Sequence, residues 1–237
     1  NFDEIIDRRG TSCLKYDFAV ERGYPKDVLP FWVADMDFRA PVPVIDALTA
    51  RTAHGIFGYT QVKDDYFNVL RDWFRTRHAW TVQRDELVIT PGVVFAIATA
   101  IRAYTAPNEA VIIQQPVYYP FASMIRQNGR TLIDSPLRFV DGRYSIDFAD
   151  FEQKIIDHKV KLFVLCSPHN PVGRVWTRTE LEQLAAICLR HHVIVVADEI
   201  HEEFVRPGFR HTPFASLSAD AAAITVTCTS PSKTFNL

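Results

Sequence analysis

Lys233 follows a run over 223–229 that reads as a buried strand, and it sits among small hydroxyl residues in Ser230-Pro231-Ser232-Lys233-Thr234. An ammonium at a strand end is costly to desolvate unless its charge is neutralised or consumed. Condensation with an aldehyde consumes it, and the two serines then offer hydroxyl donors to a phosphate on the same molecule. On its own the run reads as a solvated loop cation. Two further runs upstream add to it. Strand-like 161–166 leads into Ser167-Pro168-His169-Asn170-Pro171-Val172-Gly173, and strand-like 193–197 leads into Asp198-Glu199-Ile200-His201. Both are apolar β-branched runs, patterned for burial on two faces and ending in polar groups. In a parallel sheet such ends open on one side, where open α/β sheets bind ligands. Asn170, Asp198, His201 and Lys233 are therefore expected to converge on one crevice.

The elements that must position them alternate. Helices are expected over 43–54, 64–77, 92–104, 119–128, 146–157 and 179–191, with Gly55 closing the first. Strands are expected over 86–90, 111–115, 131–137, 161–166, 193–197 and 223–229. Strands alternating with helices argue an α/β fold with a mainly parallel sheet flanked by helices. Residues 1–42 read as an N-terminal arm, with turns at Gly23, Pro25 and Pro30, and residues 43–237 as the larger domain.

A chain of 237 residues, 48% hydrophobic and 23% charged, buries a substantial core and is of ordinary globular composition. A net charge of −2 leaves no basic footprint for nucleic acid. No apolar run reaches the roughly 18 residues of a membrane span, and Asn1-Phe2-Asp3-Glu4 shows no basic-then-apolar leader. The four cysteines, Cys13, Cys166, Cys188 and Cys228, are widely spaced, which favours reduced thiols in a cytoplasm over a disulfide framework.

The order Asn-Pro-x-Gly, Asp-x-x-His, Ser-x-Ser-Lys resembles the fold-type I pyridoxal-phosphate enzymes of the aminotransferase superfamily, class I/II. More narrowly, Trp32-Val33-Ala34-Asp35-Met36-Asp37-Phe38, residues 167–176, Asp198-Glu199-Ile200-His201 and Ser232-Lys233-Thr234-Phe235-Asn236 resemble the MalY/PatB group of carbon–sulfur β-lyases, the cystathionine β-lyases. The resemblance implies a PLP-transferase-like large domain. It also implies a small C-terminal domain, with an arginine for the substrate carboxylate, that is absent from this sequence.

The resemblance further implies roles. Lys233 would hold pyridoxal 5'-phosphate covalently and, once freed, take the substrate's Cα proton. Asp198 would face the pyridine nitrogen and keep it protonated. Asn170 and His201 would donate to the ring's phenolate oxygen, and Tyr118 would stack on the ring. The phosphate would meet the backbone N–H groups of Val93 and Val94 at a helix N-terminus, with the Ser230 and Ser232 hydroxyls. Tyr59 would reach the phosphate of the neighbouring site in a homodimer, and Ala34 and Asp35 would border a small amino-acid substrate.

Loss of the Cα proton is common to β-elimination and transamination, so the motifs leave a lyase and an aminotransferase both open. The lyase reading rests on the resemblance. A regulatory protein that keeps the fold and acts through a protein partner is a third reading. Singly, most of these residues have plainer roles: Asp198-Glu199 as a helix cap, Asn170-Pro171 as a turn, and Tyr118-Tyr119 as core or interface aromatics. His169, beside Asn170, is open between a supporting or turn role and a catalytic one. His201-Glu202-Glu203 lacks the zinc spacing H-E-x-x-H because position 205 is valine, and no metal site is expected.

Overall fold

The computed structural model describes residues 2–237. In chain order the elements begin with α1 (Val42–His54), α2 (Asp64–His78), α3 (Val93–Tyr104), β1 (Ala110–Ile113), α4 (Pro120–Gln127) and β2 (Thr131–Asp134). They continue with β3 (Arg138–Val140), β4 (Arg143–Ser145), α5 (Phe148–His158), β5 (Leu162–Cys166) and α6 (Arg178–Arg190). The last are β6 (Ile194–Asp198), α7 (Ala219–Ala223), β7 (Thr225–Cys228) and α8 (Pro231–Phe235). Contacts divide the chain into two compact units, one of Thr60–Ser230 and one that joins the chain up to Tyr59 with Pro231–Leu237.

The larger unit is built on a five-stranded sheet in the order β2-β1-β5-β6-β7, parallel throughout. Alternation along each strand sends side chains to opposite faces. Val111, Ile113, Leu162, Val164 and Val196 pack with Ile97 and Ile101 of α3 and with Phe121 and Ile125 of α4. Ile112, Phe163, Leu165, Val195 and Ala197 pack on the other face with Phe151 and Ile155 of α5 and with Leu181 and Leu184 of α6. Two covered faces explain why β5 and β6 are near-continuous apolar runs. Each fully buried side chain of this kind stabilises the fold by about 1.5–3 kcal/mol. The helix starts are encoded locally. Thr177 and Glu180 form a reciprocal capping box on α6, and Asp147 accepts from the Asp150 amide at the start of α5.

Three stretches depart from the sequence expectation. Residues 86–90 form no strand: a 3-10 turn at Arg84–Glu86 leads into unpaired chain, where Val88 is 82% exposed. A β pattern becomes a strand only beside a partner, and among the described residues none pairs with it. The strand expected over 131–137 stops at Asp134 and is followed by the β3–β4 hairpin. Its turn, Asp141-Gly142, has positive φ at both residues, the requirement that Asp-Gly meets in a two-residue hairpin. Ala223 closes α7, capped by Ser218, so β7 begins only at Thr225.

In the smaller unit α1 ends at Gly55, whose φ of 75° is left-handed. Lys15, only 6% exposed, donates to the Asp35 carbonyl at 2.6 Å and lies 3.4 Å and 3.5 Å from the Asp35 and Asp37 carboxylates. Arg8 pairs with both aspartates. These cations hold both carboxyls below the ordinary range against the opposing effect of burial. Asn236, at φ 57°, accepts from the Met36 amide at 3.0 Å and donates to the Met36 and Phe38 carbonyls at 3.0 and 2.8 Å. Asparagine is among the few side-chain-bearing residues that tolerate this backbone conformation.

Candidate active site

The carboxyl ends of β5, β6 and β7 lie level, because Asp198 stands opposite Cys166 on one side and Cys228 on the other. Asp198 is the last residue of β6, 5% exposed, and its carboxylate accepts from the Ile200 amide at 3.2 Å. His201, in the turn that follows, is half-buried, with its ring 5.9 Å from Phe204. Ser230, just past β7, is also half-buried.

Asn170 is placed by a tightly braced loop after β5. Its amide donates to Cys166 Sγ at 3.4 Å, and the His169 amide donates to the Arg174 carbonyl at 2.8 Å. Gly173 closes the turn at φ 68°, where a side chain would strain the backbone. The Trp176 indole donates to the Cys166 carbonyl at 3.0 Å, and Arg174 lies over that indole at 4.6 Å while pairing with Glu180.

Tyr118 is half-buried, its ring 5.7 Å from Phe121 and 5.6 Å from Tyr119. Burial first, then Tyr119 and the Asp198 charge, raise its phenol pKa, so Tyr118 and Asp198 share one electrostatic environment. α3 packs on β5, β6 and β7 and begins at Val93, which is buried with Cys166 and Cys228, the residues that end β5 and β7. The first turn of α3 has no side-chain cap, and no atom lies within 4 Å of where a Cβ on Gly92 would stand. Its leading N–H groups have no acceptor within the helix, which suits an anion. Val94 is 45% exposed.

The larger unit thus carries Val93, Val94, Tyr118, Asn170, Asp198, His201 and Ser230 at or beside the carboxyl ends of its strands. The other candidates belong to the smaller unit. Lys233 and Ser232 are half-buried in the short helix α8, so the lysine stands in a helical turn and not at a bare strand end. Tyr59 and Ala34 are exposed, and Asp35 is engaged by Arg8 and Lys15. Cys166 and Cys228 are no nucleophiles. Burial, with the Asp198 charge, pushes both thiols up, that of Cys228 to about 12.

His169 is a site residue whose role sequence reasoning left undefined. It is 2% exposed, shares a 3.0 Å hydrogen bond between Nε2 and the Pro116 carbonyl, and meets Trp176 edge-on at 5.4 Å. It ties the Asn170 loop to the segment entering Tyr118. Burial lowers its pKa to about 4. The unfolded chain therefore takes up this proton first as pH falls. The stability is complete above the unfolded value of 6.5 and drains away down to about 4, by about 1.4 kcal/mol per pH unit. Urea unfolding between pH 7 and 5 should show a shallower acid loss for His169→Gln than for the parent. Equal slopes would remove the neutral buried imidazole from the account.

A family profile, Aminotransferase class I and II, matches residues 26–237, and the chain belongs to that family. Across its full length it is 48% identical to the cystathionine beta-lyase PatB of Bacillus subtilis (strain 168), covering 61% of that protein. It is 35% identical over 238 residues to protein MalY of Escherichia coli (strain K12), covering 100% of this chain and 60% of the relative. The PLP-bound C-S lyase from Staphylococcus hominis superposes with a TM-score of 0.91 at 35% identity, over 100% of this chain and 60% of that one. The chain spans about three fifths of the length of these relatives.

Proposed function

We propose that this chain is part of a pyridoxal 5'-phosphate-dependent carbon–sulfur β-lyase, which converts L-cystathionine or related L-cysteine S-conjugates to a thiol, pyruvate and ammonia. The carrying observation is the buried Asp198 carboxylate at the end of β6, level with the ends of its neighbours β5 and β7. The identity to a cystathionine β-lyase supports the choice of substrate class.

The residues present fit the cofactor. The uncapped start of α3, open above Gly92, suits its phosphate through the Val93 and Val94 amides, with Ser230 and Ser232 as hydroxyl donors. The cofactor, when bound, supplies an electron-poor ring able to stabilise negative charge at the substrate's Cα. Asp198, by its negative charge, would keep a proton on the ring nitrogen. Asn170 and His201 would serve as donors to the ring oxygen, and Tyr118 as the aromatic partner of the ring. Lys233 would provide the amine that holds the cofactor and the base for the Cα proton. Elimination follows where the Cβ substituent is a good leaving group such as a thiolate.

The working form we propose is a homodimer in which Tyr59 of a second copy reaches the phosphate. The full exposure of Tyr59, and an α1 with no buried residue, support it. Residues 1–42 would act as an N-terminal arm that contributes to the small domain and to the rim of the active site. No helix among the described residues is long and apolar enough to cross a membrane. The four free, buried thiols support a cytoplasmic setting.

The full-length protein, given L-cystathionine and pyridoxal 5'-phosphate, should release pyruvate and free thiol without any added keto acid. Amino transfer that requires a keto acid, with no pyruvate formed from cystathionine, would assign the protein to the aminotransferases instead.

A further inference from the structure

Beyond Asp198, the turn after β6 carries two more buried acids that the proposed chemistry does not use. Glu199 is fully buried and Glu202 is 5% exposed. Each has one oxygen fixed by the protein: Glu199 Oε1 accepts from the Phe214 amide at 2.8 Å, and Glu202 Oε1 from the Thr229 hydroxyl at 2.7 Å. Glu199 Oε2 shares a 3.2 Å hydrogen bond with Nε2 of His211, itself 2% exposed. Glu202 Oε2 is buried with no hydrogen-bond partner, 3.7 Å from Nε2 of His78, and His211 Nδ1 is likewise buried without a partner. Ligating atoms of Glu199, Glu202 and His211 lie within 4.8 Å of one another.

The geometry points to a divalent-cation site of the zinc class, held by Glu199, Glu202 and His211. Buried carboxylates are tolerated when paired or bound to metal. The nearby Arg77 gives its charge to Glu203 instead, at 2.8 Å. Two atoms each about 2.1 Å from one zinc ion stand about 3–3.5 Å apart, a separation the Glu199–His211 contact already has. One imidazole and two carboxylates, without thiolate, form a nitrogen–oxygen donor set suited to zinc. Glu202, His211 and His78 also border a hollow of about 450 Å³ that gives an ion a way in. His78 or a water from that hollow would complete the coordination. The ligands come from positions 199, 202 and 211, a spacing that matches no contiguous zinc motif, which is why the sequence led to the opposite expectation. An ion here would brace the turn that presents Asp198 and His201.

The test uses the full-length protein stripped of metal with a chelator and titrated calorimetrically with zinc chloride. Cobalt chloride then serves as a spectroscopic probe. The expected result is saturation at one ion per chain, a rise in melting temperature, and visible cobalt bands. Glu202→Gln and His211→Gln should each weaken zinc binding by roughly tenfold or more, with circular dichroism confirming that the variants fold. Absence of saturable binding in the parent protein overturns the site outright. So does binding that both folded variants keep at parental strength, which would place the ion elsewhere. Should either variant fail to fold, the cobalt spectrum of the parent decides: bands of imidazole–carboxylate coordination support the site, and the spectrum of the hydrated ion overturns it.

Discussion

Lys233→Ala should reduce turnover of cystathionine by the full-length protein by roughly 10⁴-fold or more, the scale of losing a positioned general base together with a covalent attachment point. The same change should abolish the visible absorbance that marks the cofactor bound through an amine. The expected loss does not depend on charge alone, so Lys233→Arg is the informative companion. Arginine keeps the positive charge and much of the length in the α8 turn but neither condenses with an aldehyde nor gives up its proton near neutral pH. Both variants should therefore be inactive. An arginine variant with substantial activity would reduce Lys233 to a simple countercharge for phosphate and remove the basis of the proposed chemistry.

Asp198→Asn comes next in expected effect. Asparagine has the same shape and can still accept from the Ile200 amide, so the end of β6 should survive the change. What disappears is the negative charge that, in the proposed site, would keep the cofactor's ring nitrogen protonated. The loss should fall on kcat by about 10³-fold, in the range for deleting a preorganised electrostatic partner of the transition state. Retained cofactor with collapsed kcat is the expected signature. An unchanged rate would contradict the assignment, and a large loss confined to cofactor affinity would make Asp198 a binding residue only.

Much of this was legible in the chain, for identifiable reasons. β5 and β6 are buried on both faces, so their apolar runs are unambiguous, and the polar groups at their ends follow directly. Helices α1 and α2 match their expected spans to within a residue because Gly55 and the apolar spacing of Phe67 and Phe74 mark them. What failed depended on partners or on single residues. The apolar run over 86–90 has the composition of a strand without a neighbour to pair with. The Asp141-Gly142 turn was readable, but the apolar run before it disguised the break. Lys233 reads as a strand-end residue from its sequence because Pro231, which opens α8, has the same local signature as a loop proline. The Glu199–Glu202–His211 cluster, with His78 beside it, was invisible to any local pattern, because folding alone brings position 78 to position 202.

The grip of Asn236 on Met36 and Phe38 joins residues 200 and 198 positions apart. A ribosome makes the arm first and its fastener almost at the end of this stretch. Segment 36–38 consequently waits, while some 200 further residues are made, without the three hydrogen bonds that fix it, and a nascent chain released before position 236 never acquires them. Quality control that samples the emerging polypeptide would thus meet residues 36–38 still unfastened.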